Sequence, residues 1–287
     1  MRIGYYPGCS LQGSSREFDE SVRTLLKALD VELVEVPDWS CCGASSAHIL
    51  DHALALALPA RVLALAEQAG LDEVLAPCAA CSNRLLRTQQ ELLADPALMA
   101  QVQAVVGLPL TGKVKILNIL ELLDRLRDRL EVKAPFTRKV ACYYGCLLVR
   151  PARVVNFDRV AFDRVEDPQS MDRLLAQAGA TPLDWSFKTE CCGAAFSVAR
   201  TDIVADLCGR IVKDAVRRGA EALIVACPLC HSNLDLRRPE INEALGRAHA
   251  IPVLFVTQAL GLAMGLAPES LGLQRHMVPV EFQPVGV

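Results

Sequence analysis

The chain has 287 residues, is 52% hydrophobic and carries a formal net charge of -3 with no basic block. Such values, with a mean hydropathy of +0.27, fit a tightly buried globular protein and argue against a nucleic-acid surface. The length exceeds the usual single-domain size and leaves room for two cores.

The opening run, Met1 to Cys9, reads as a strand entering a loop. It lacks the basic start, apolar stretch and cleavage site of a signal peptide, so a cytoplasmic protein is expected, membrane-associated at most through partners. In chain order, strands are predicted at Ile3–Tyr6, Val31–Val36, Val74–Ala76 and Val114–Leu117, then at Val140–Tyr144, Thr181–Asp184, Leu223–Ala226 and Val253–Val256. Helices are predicted at Ser15–Leu29, Ser46–Ala69 with a break at Pro59, Asn83–Leu93, Ile119–Arg129, Ala194–Arg217 and Gln258–Gly265. A linker is placed around Glu131–Lys139, where Pro135 and mixed charges intervene. Alternation of this kind implies an α/β fold: two similar halves, each a small mostly parallel sheet flanked by helices, related by pseudo-twofold symmetry. The expected domains are residues 1–133 and 134–287. Residues Ala248 to Pro268 carry no charge, but His249, Pro252, Gln258 and two glycines interrupt them. A buried strand leading into a helix is expected there, with no transmembrane span.

Ten of the twelve cysteines form two copies of one pattern: a lone Cys, then Cys-Cys-Gly, then Cys-x-x-Cys. The first copy is Cys9, Cys41, Cys42, Cys78 and Cys81; the second is Cys146, Cys191, Cys192, Cys227 and Cys230. From the paired cysteines to the Cys-x-x-Cys the chain runs 36 residues (Cys42 to Cys78) and 35 (Cys192 to Cys227). The longer gap from Cys146 to Cys191 predicts an insertion around Asp158–Ser170. Disulfide frameworks belong mainly to small secreted domains, and five cysteines per half is an odd count. Sites made only of thiolates select zinc or iron-sulfur clusters. A structural zinc closes at four ligands, whereas adjacent cysteines in a set of five suit neighbouring irons. Iron-sulfur is therefore preferred, with a zinc-stabilised scaffold as the competing reading. The closely spaced ferredoxin run is absent.

Cys9, Cys78, Cys146 and Cys227 each follow a predicted strand, where open α/β sheets gather ligands. Each Cys-Cys-Gly is expected to open a helix whose amides face the thiolates, with Gly43 and Gly193 permitting a turn or close approach. Pro77 and Pro228 stiffen the Cys-x-x-Cys loops. Cys142 and Cys208 are read as packing cysteines. His231, next to Cys230, is the candidate catalytic side chain, as a proton donor. His48 is a weaker candidate, and Lys188 and Arg150 are candidates for neutralising charge or steering an anion.

At these residues the chain resembles the CCG (cysteine-rich) domain family, specifically the B-type subunit of heterodisulfide reductase and its bacterial relatives. The resemblance spans almost the whole length, including Tyr5-Tyr6-Pro7-Gly8-Cys9, Tyr143-Tyr144-Gly145-Cys146 and the run from Cys227 to Asp235. It implies two noncubane 4Fe-4S clusters, each held by the five cysteines of one half, facing a cleft where a disulfide is cleaved or formed. Splitting a disulfide takes two electrons, and two matched one-electron centres would share that step. The lack of a ferredoxin run and of a dinucleotide fingerprint implies partners: by resemblance, a C-type iron-sulfur subunit and a flavin-bearing A-type subunit. The expected role is disulfide/thiol redox chemistry in bacterial sulfur oxidation with a lipoate-bearing carrier. The alternatives are a methanogenic subunit acting on the CoM-S-S-CoB heterodisulfide and a cluster relay or anchoring subunit of a quinone-linked dehydrogenase.

Overall fold

The computed structural model describes residues 1–44, 46–156 and 162–281. Its first half contains β1 (Arg2–Tyr5), α1 (Gly8–Gln12), α2 (Arg16–Ala28), β2 (Glu32–Glu35), α3 (Ala47–Leu50), α4 (His52–Gln68), β3 (Glu73–Leu75), α5 (Ala79–Ala94), α6 (Pro96–Val106), β4 (Lys115–Leu117) and α7 (Ile119–Arg125). The second contains β5 (Lys139–Tyr143), α8 (Ala152–Val155), α9 (Ser170–Gln177), β6 (Thr181–Pro182), α10 (Thr201–Arg217), β7 (Ala222–Val225), α11 (Pro228–Asp235), α12 (Arg238–Leu245), β8 (Val253–Phe255) and α13 (Val256–Ala263). Each half builds a four-stranded sheet, ordered β2-β1-β3-β4 and β6-β5-β7-β8. Every pairing is parallel. Identical strand order in both sheets is the structural form of the repeat, as the sequence predicted. No helix among the described residues is long and apolar enough to cross a membrane.

All eight predicted strands form, within a residue or two of their expected ends: six are mostly buried apolar runs, and the more exposed edge strands β2 and β6 are held by pairing to β1 and β5. The helices depart in three places. Pro59 lies inside α4 and does not break it. The interruption falls at Asp51, whose extended backbone separates α3 from α4 and whose carboxylate accepts the Leu54 N–H and caps α4. The Cys-Cys-Gly segments do not open long helices: α3 has four residues, and a single 3-10 turn, Ala194–Phe196, follows Gly193. The helix starts lie instead at the Cys-x-x-Cys segments, with Cys78 and Cys227 as the N-cap residues of α5 and α11. The helix at α6 was not predicted. Its signals are ordinary: Asp95 accepts the Ala97 and Leu98 N–H groups, Pro96 occupies the first turn, and Gly107 ends it at φ +72°. Of the expected insertion, residues 158–161 lie outside the described residues. In the remainder, Asp163 accepts the N–H groups of Gln169 and Ser170 at the start of α9.

The halves share one contiguous core. α2 packs on α13, and its counterpart α9 packs on α7, so the contact is reciprocal. At the ligand loops the exchange repeats. Asn83 on α5 donates to the Leu147 and Arg150 carbonyls of the other half, while its counterpart Ser232 on α11 meets Ser15 at 3.4 Å. Ser21 and Thr257 bond across the interface at 2.7 Å. Phe18 stacks on Phe255 with ring centroids 4.0 Å apart.

Candidate functional site

The strand ends bring each five-cysteine set together. In the first half the sulfurs of Cys42 and Cys81 lie 3.3 Å apart and those of Cys9 and Cys41 3.8 Å apart. In the second, the sulfurs of Cys192 and Cys230 are 3.5 Å apart, and the neighbouring Cys146 draws the Cys191 thiol down to about 6. The two sets also approach each other: Cys78 and Cys227, from opposite halves, lie close enough to perturb one another's protonation, raising the Cys78 thiol and lowering that of Cys227. Cys42, Cys78, Cys81, Cys192, Cys227 and Cys230 are buried, whereas Cys9, Cys41 and Cys191 are exposed and Cys146 is partly so. Each set is thus closed toward the core and open at the lone cysteine and the first cysteine of the pair.

Matched devices hold the two loops. Tyr6 Oη donates to the Ser40 carbonyl at 2.8 Å, and Tyr143 Oη donates to the Glu190 carbonyl at 2.6 Å. Each phenol pins the peptide that precedes the cysteine pair. Gly43 and Gly193 adopt positive φ, and their N–H groups donate to the sulfurs of Cys41 and Cys191 at 3.4 and 3.3 Å. Gly8 (φ +66°) and Gly145 (φ +69°) are a second pair. A Cβ at Gly8 would stand 3.1 Å from the Cys81 sulfur, and one at Gly145 2.9 Å from the Cys230 sulfur. Both positions demand glycine for conformation and for room. Backbone amides aimed at sulfur, five soft donors and glycine-lined walls fit a polynuclear soft-metal group that spreads charge over several thiolates.

The second half adds Asn233, which donates to the Cys192 carbonyl at 3.0 Å and to its sulfur at 3.7 Å. Ser197 Oγ donates to Asn233 Oδ1 at 2.7 Å and so fixes the amide orientation. Cys208 lies within α10 and meets the Cys192 carbonyl at 3.4 Å, a packing role. Cys142 is fully buried on β5, where burial pushes its thiol up. Lys188 is buried and ion-paired with Asp167 at 3.0 Å and Asp172 at 3.1 Å. Its carbonyl accepts the Tyr144 and Gly145 N–H groups, so this residue anchors the Cys146 loop. Arg150 pairs with Glu166. Both expected anion-steering cations are therefore already neutralised. His48 is exposed, and slight desolvation together with the charges of Arg84 and Arg87 lowers its pKa.

The ring of His231 turns to the interface between the halves. It stacks on Phe255 at 4.3 Å and lies 3.1 Å from the Val253 carbonyl and 3.2 Å from His276. Its Nδ1 lies 3.6 Å from Glu17. His231, Asp235 and His276 bring donor atoms within 4.8 Å of one another, yet the hydrogen bonding opposes a cation there. Gln258 accepts the Phe255 N–H through Oε1, so its Nε2 donates to Leu271 and to His276 Nε2. His276 Nδ1 then carries the ring hydrogen, and Asp235 is occupied by the N–H groups of Met277 and Val278.

Burial lifts the Glu17 carboxyl to about 7, with Asp235 adding to the rise. The native chain therefore binds more protons than the unfolded one between about pH 4.5 and 7, and stability falls as pH rises through that window. Glu17→Gln is expected to remove this dependence, gaining about 1–3 kcal/mol relative to the parent between pH 5 and pH 8. Thermal midpoints of both proteins across that range check it; parallel curves would contradict it.

Two equivalent α/β halves, each with a five-cysteine nest at its strand ends, define a duplicated cysteine-rich protein. A family described as CCG: Cysteine-rich domain matches residues 3–86 and 140–235. The chain is 30% identical to the B-type subunit of the ferredoxin/F(420)H(2)-dependent CoB-CoM heterodisulfide reductase of Methanosarcina acetivorans, over 98% of this chain and 95% of that one. It is 29% identical to the 8-methylmenaquinol:fumarate reductase membrane anchor subunit of Wolinella succinogenes, over 96% of each. A solved hypothetical protein from Helicobacter pylori shares the fold at a TM-score of 0.81 and 16% identity, covering 98% of this chain and 53% of that one. The chain belongs to the CCG cysteine-rich domain family and is of the B type found in heterodisulfide reductases.

Proposed function

We propose that this chain is the disulfide-active, iron-sulfur subunit of a multi-subunit electron-transfer complex. The observation that carries the reading is the assembly of two equivalent thiol sets at matching strand ends, with Cys42 and Cys81 sulfurs 3.3 Å apart in one half and Cys192 and Cys230 sulfurs 3.5 Å apart in the other. Cys9, Cys41, Cys42, Cys78 and Cys81 would hold one noncubane 4Fe-4S cluster within residues 1–133. Cys146, Cys191, Cys192, Cys227 and Cys230 would hold the other within residues 134–287. When bound, such a pair supplies one electron from each centre to a two-electron disulfide cleavage, or accepts them in the reverse direction.

The protein's own part is to hold and to expose. Tyr6, Tyr143 and the positive-φ glycines fix the loops, and the buried cysteines exclude water from the inner side. Cys9, Cys41 and Cys191 leave an approach from solvent. His231 serves this arrangement as a buttress between halves, since its ring contacts are Phe255, Val253, His276 and Glu17. Ile49, Leu50, Phe196 and Val198 are exposed on the segments that follow the cysteine pairs, which supports docking of partner subunits at the same rim. The partners in this reading are a C-type iron-sulfur subunit and a flavin-bearing A-type subunit, and the substrate is a disulfide carried on a lipoyl protein in bacterial sulfur oxidation. The Methanosarcina relative supports heterodisulfide chemistry equally well.

A second reading, a cluster-bearing relay or anchoring subunit, is favoured by the Wolinella relative. Reoxidation of the anaerobically reduced protein separates the two. Oxidation by lipoyl disulfide or CoM-S-S-CoB supports the disulfide-active subunit, whereas inertness to both, with full iron loading, supports the relay. Zinc without acid-labile sulfide would contradict both.

A further inference from the structure

The two thiol nests match in their glycines, tyrosines and backbone donors, but not in charge. The difference lies three residues after each Cys-x-x-Cys, where Arg84 follows Cys81 and Asn233 follows Cys230. On α11, Asn233 lies against Cys192 through its amide. On α5, residue 84 occupies the equivalent register one turn beyond Cys81, whose sulfur is 3.3 Å from that of Cys42. The Arg84 guanidinium is partly buried; desolvation and the neighbouring Arg87 charge lower its pKa, while Cys42 and, behind it, Glu91 oppose that fall. Among the described residues it makes no ion pair and no side-chain hydrogen bond.

Other cations near the two nests are already engaged. Arg87 pairs with Glu91, Arg150 with Glu166, Lys188 with Asp167 and Asp172, and Arg237 with Glu240. Arg238 is spent on the carbonyls of Leu234, His249 and Ile251. A partly buried guanidinium without a carboxylate is costly unless an anion meets it. In the first half the stronger anionic influence on Arg84 is Cys42, ahead of Glu91, which is itself paired with Arg87; in the second, a neutral amide stands in that place.

We infer that Arg84 makes the two halves electrically unequal, so that the first electron entering the protein goes to the first-half site and the second to the site beside Asn233. This rests on the proposal that both halves carry an iron-sulfur group. Each one-electron reduction adds one negative charge at its site, and a nearby cation favours that charge more than a neutral hydrogen-bond donor does. Arg84 is thus a positioning residue for charge, acting through Cys42.

The test is an anaerobic redox titration of the full chain with dithionite, followed by electron paramagnetic resonance, with iron and sulfide measured for every variant. Two one-electron waves are expected. Arg84→Gln should lower the upper wave by about tenfold in its reduction equilibrium, about 59 mV for one electron, and leave the lower wave in place. Arg84→Lys should retain most of the parent position. Asn233→Leu should lower only the lower wave. Coincident waves in the parent, or full loading with Arg84→Gln moving neither wave or both alike, would overturn the inference alone. A chain that binds no iron would overturn the proposed function with it.

Discussion

Cys192→Ser is expected to leave the folded chain with about half the parent's bound iron and sulfide, and to lower disulfide-dependent reoxidation by at least about 100-fold. Cys192 is buried, 3.5 Å from the Cys230 sulfur, and receives the Asn233 amide. A serine oxygen in its place is a hard, short donor in a nest built for soft ones. The loss of iron is confined to one half because the five thiols of the other are untouched. The loss of rate is much larger because two one-electron sites acting on one bond fail as a unit. Iron and sulfide analysis of anaerobically purified protein, with single-turnover reoxidation, checks both numbers. Cys208→Ser is the control: that thiol only packs beneath the Cys192 carbonyl, and the variant should keep its iron. Full iron in Cys192→Ser, or equal loss in Cys208→Ser, would overturn the ligand assignment.

Phe18→Ala should be the most damaging substitution away from the cysteines, costing about 3–5 kcal/mol. Phe18 has no solvent exposure and belongs to the core shared by both halves. It stacks on Phe255, which in turn carries His231 on its ring. Truncation would empty the centre of the α2–α13 contact and undercut the buttress behind Cys230. Against the 5–15 kcal/mol that typically holds a domain together, the loss should appear as a fall of about 10 °C or more in the thermal midpoint. Phe18→Leu should recover a large part of it. A midpoint within a degree of the parent for the alanine variant would show that the halves hold together without this contact.

The parts of this architecture that could be read from sequence were those fixed by local pattern. Six short apolar runs became buried strands, two edge segments joined them by pairing to β1 and β5, and the cysteines of each half came together because strand ends deliver them. The N-cap positions of Cys78 and Cys227 were missed because neither side chain caps its helix and cysteine is no ordinary cap residue: helices were expected after the Cys-Cys-Gly segments, while Cys-x-x-Cys was treated as a loop. Tyr6 and Tyr143, each three residues before its lone cysteine, could have been matched by aligning the repeats. So could Arg84 with Asn233. The meeting of Glu17 with His231 had no such signal, since a distant packing contact between α2 and α11 creates it. Lys188 and Arg150 looked like free cations only because their carboxylate partners arrive from a segment whose fold the sequence did not reveal.

The reciprocal packing of α2 on α13 and α9 on α7 has a bearing on ancestry. Surfaces that exchange places in this way are self-complementary, the property that lets a chain close on its own copy about a twofold axis. A progenitor of half this length could have been a homodimer with identical sites, in which both electrons met equal environments. Joining the two copies in one polypeptide freed each to change alone, and substitution at a single position in one copy is then enough to give the pair a direction.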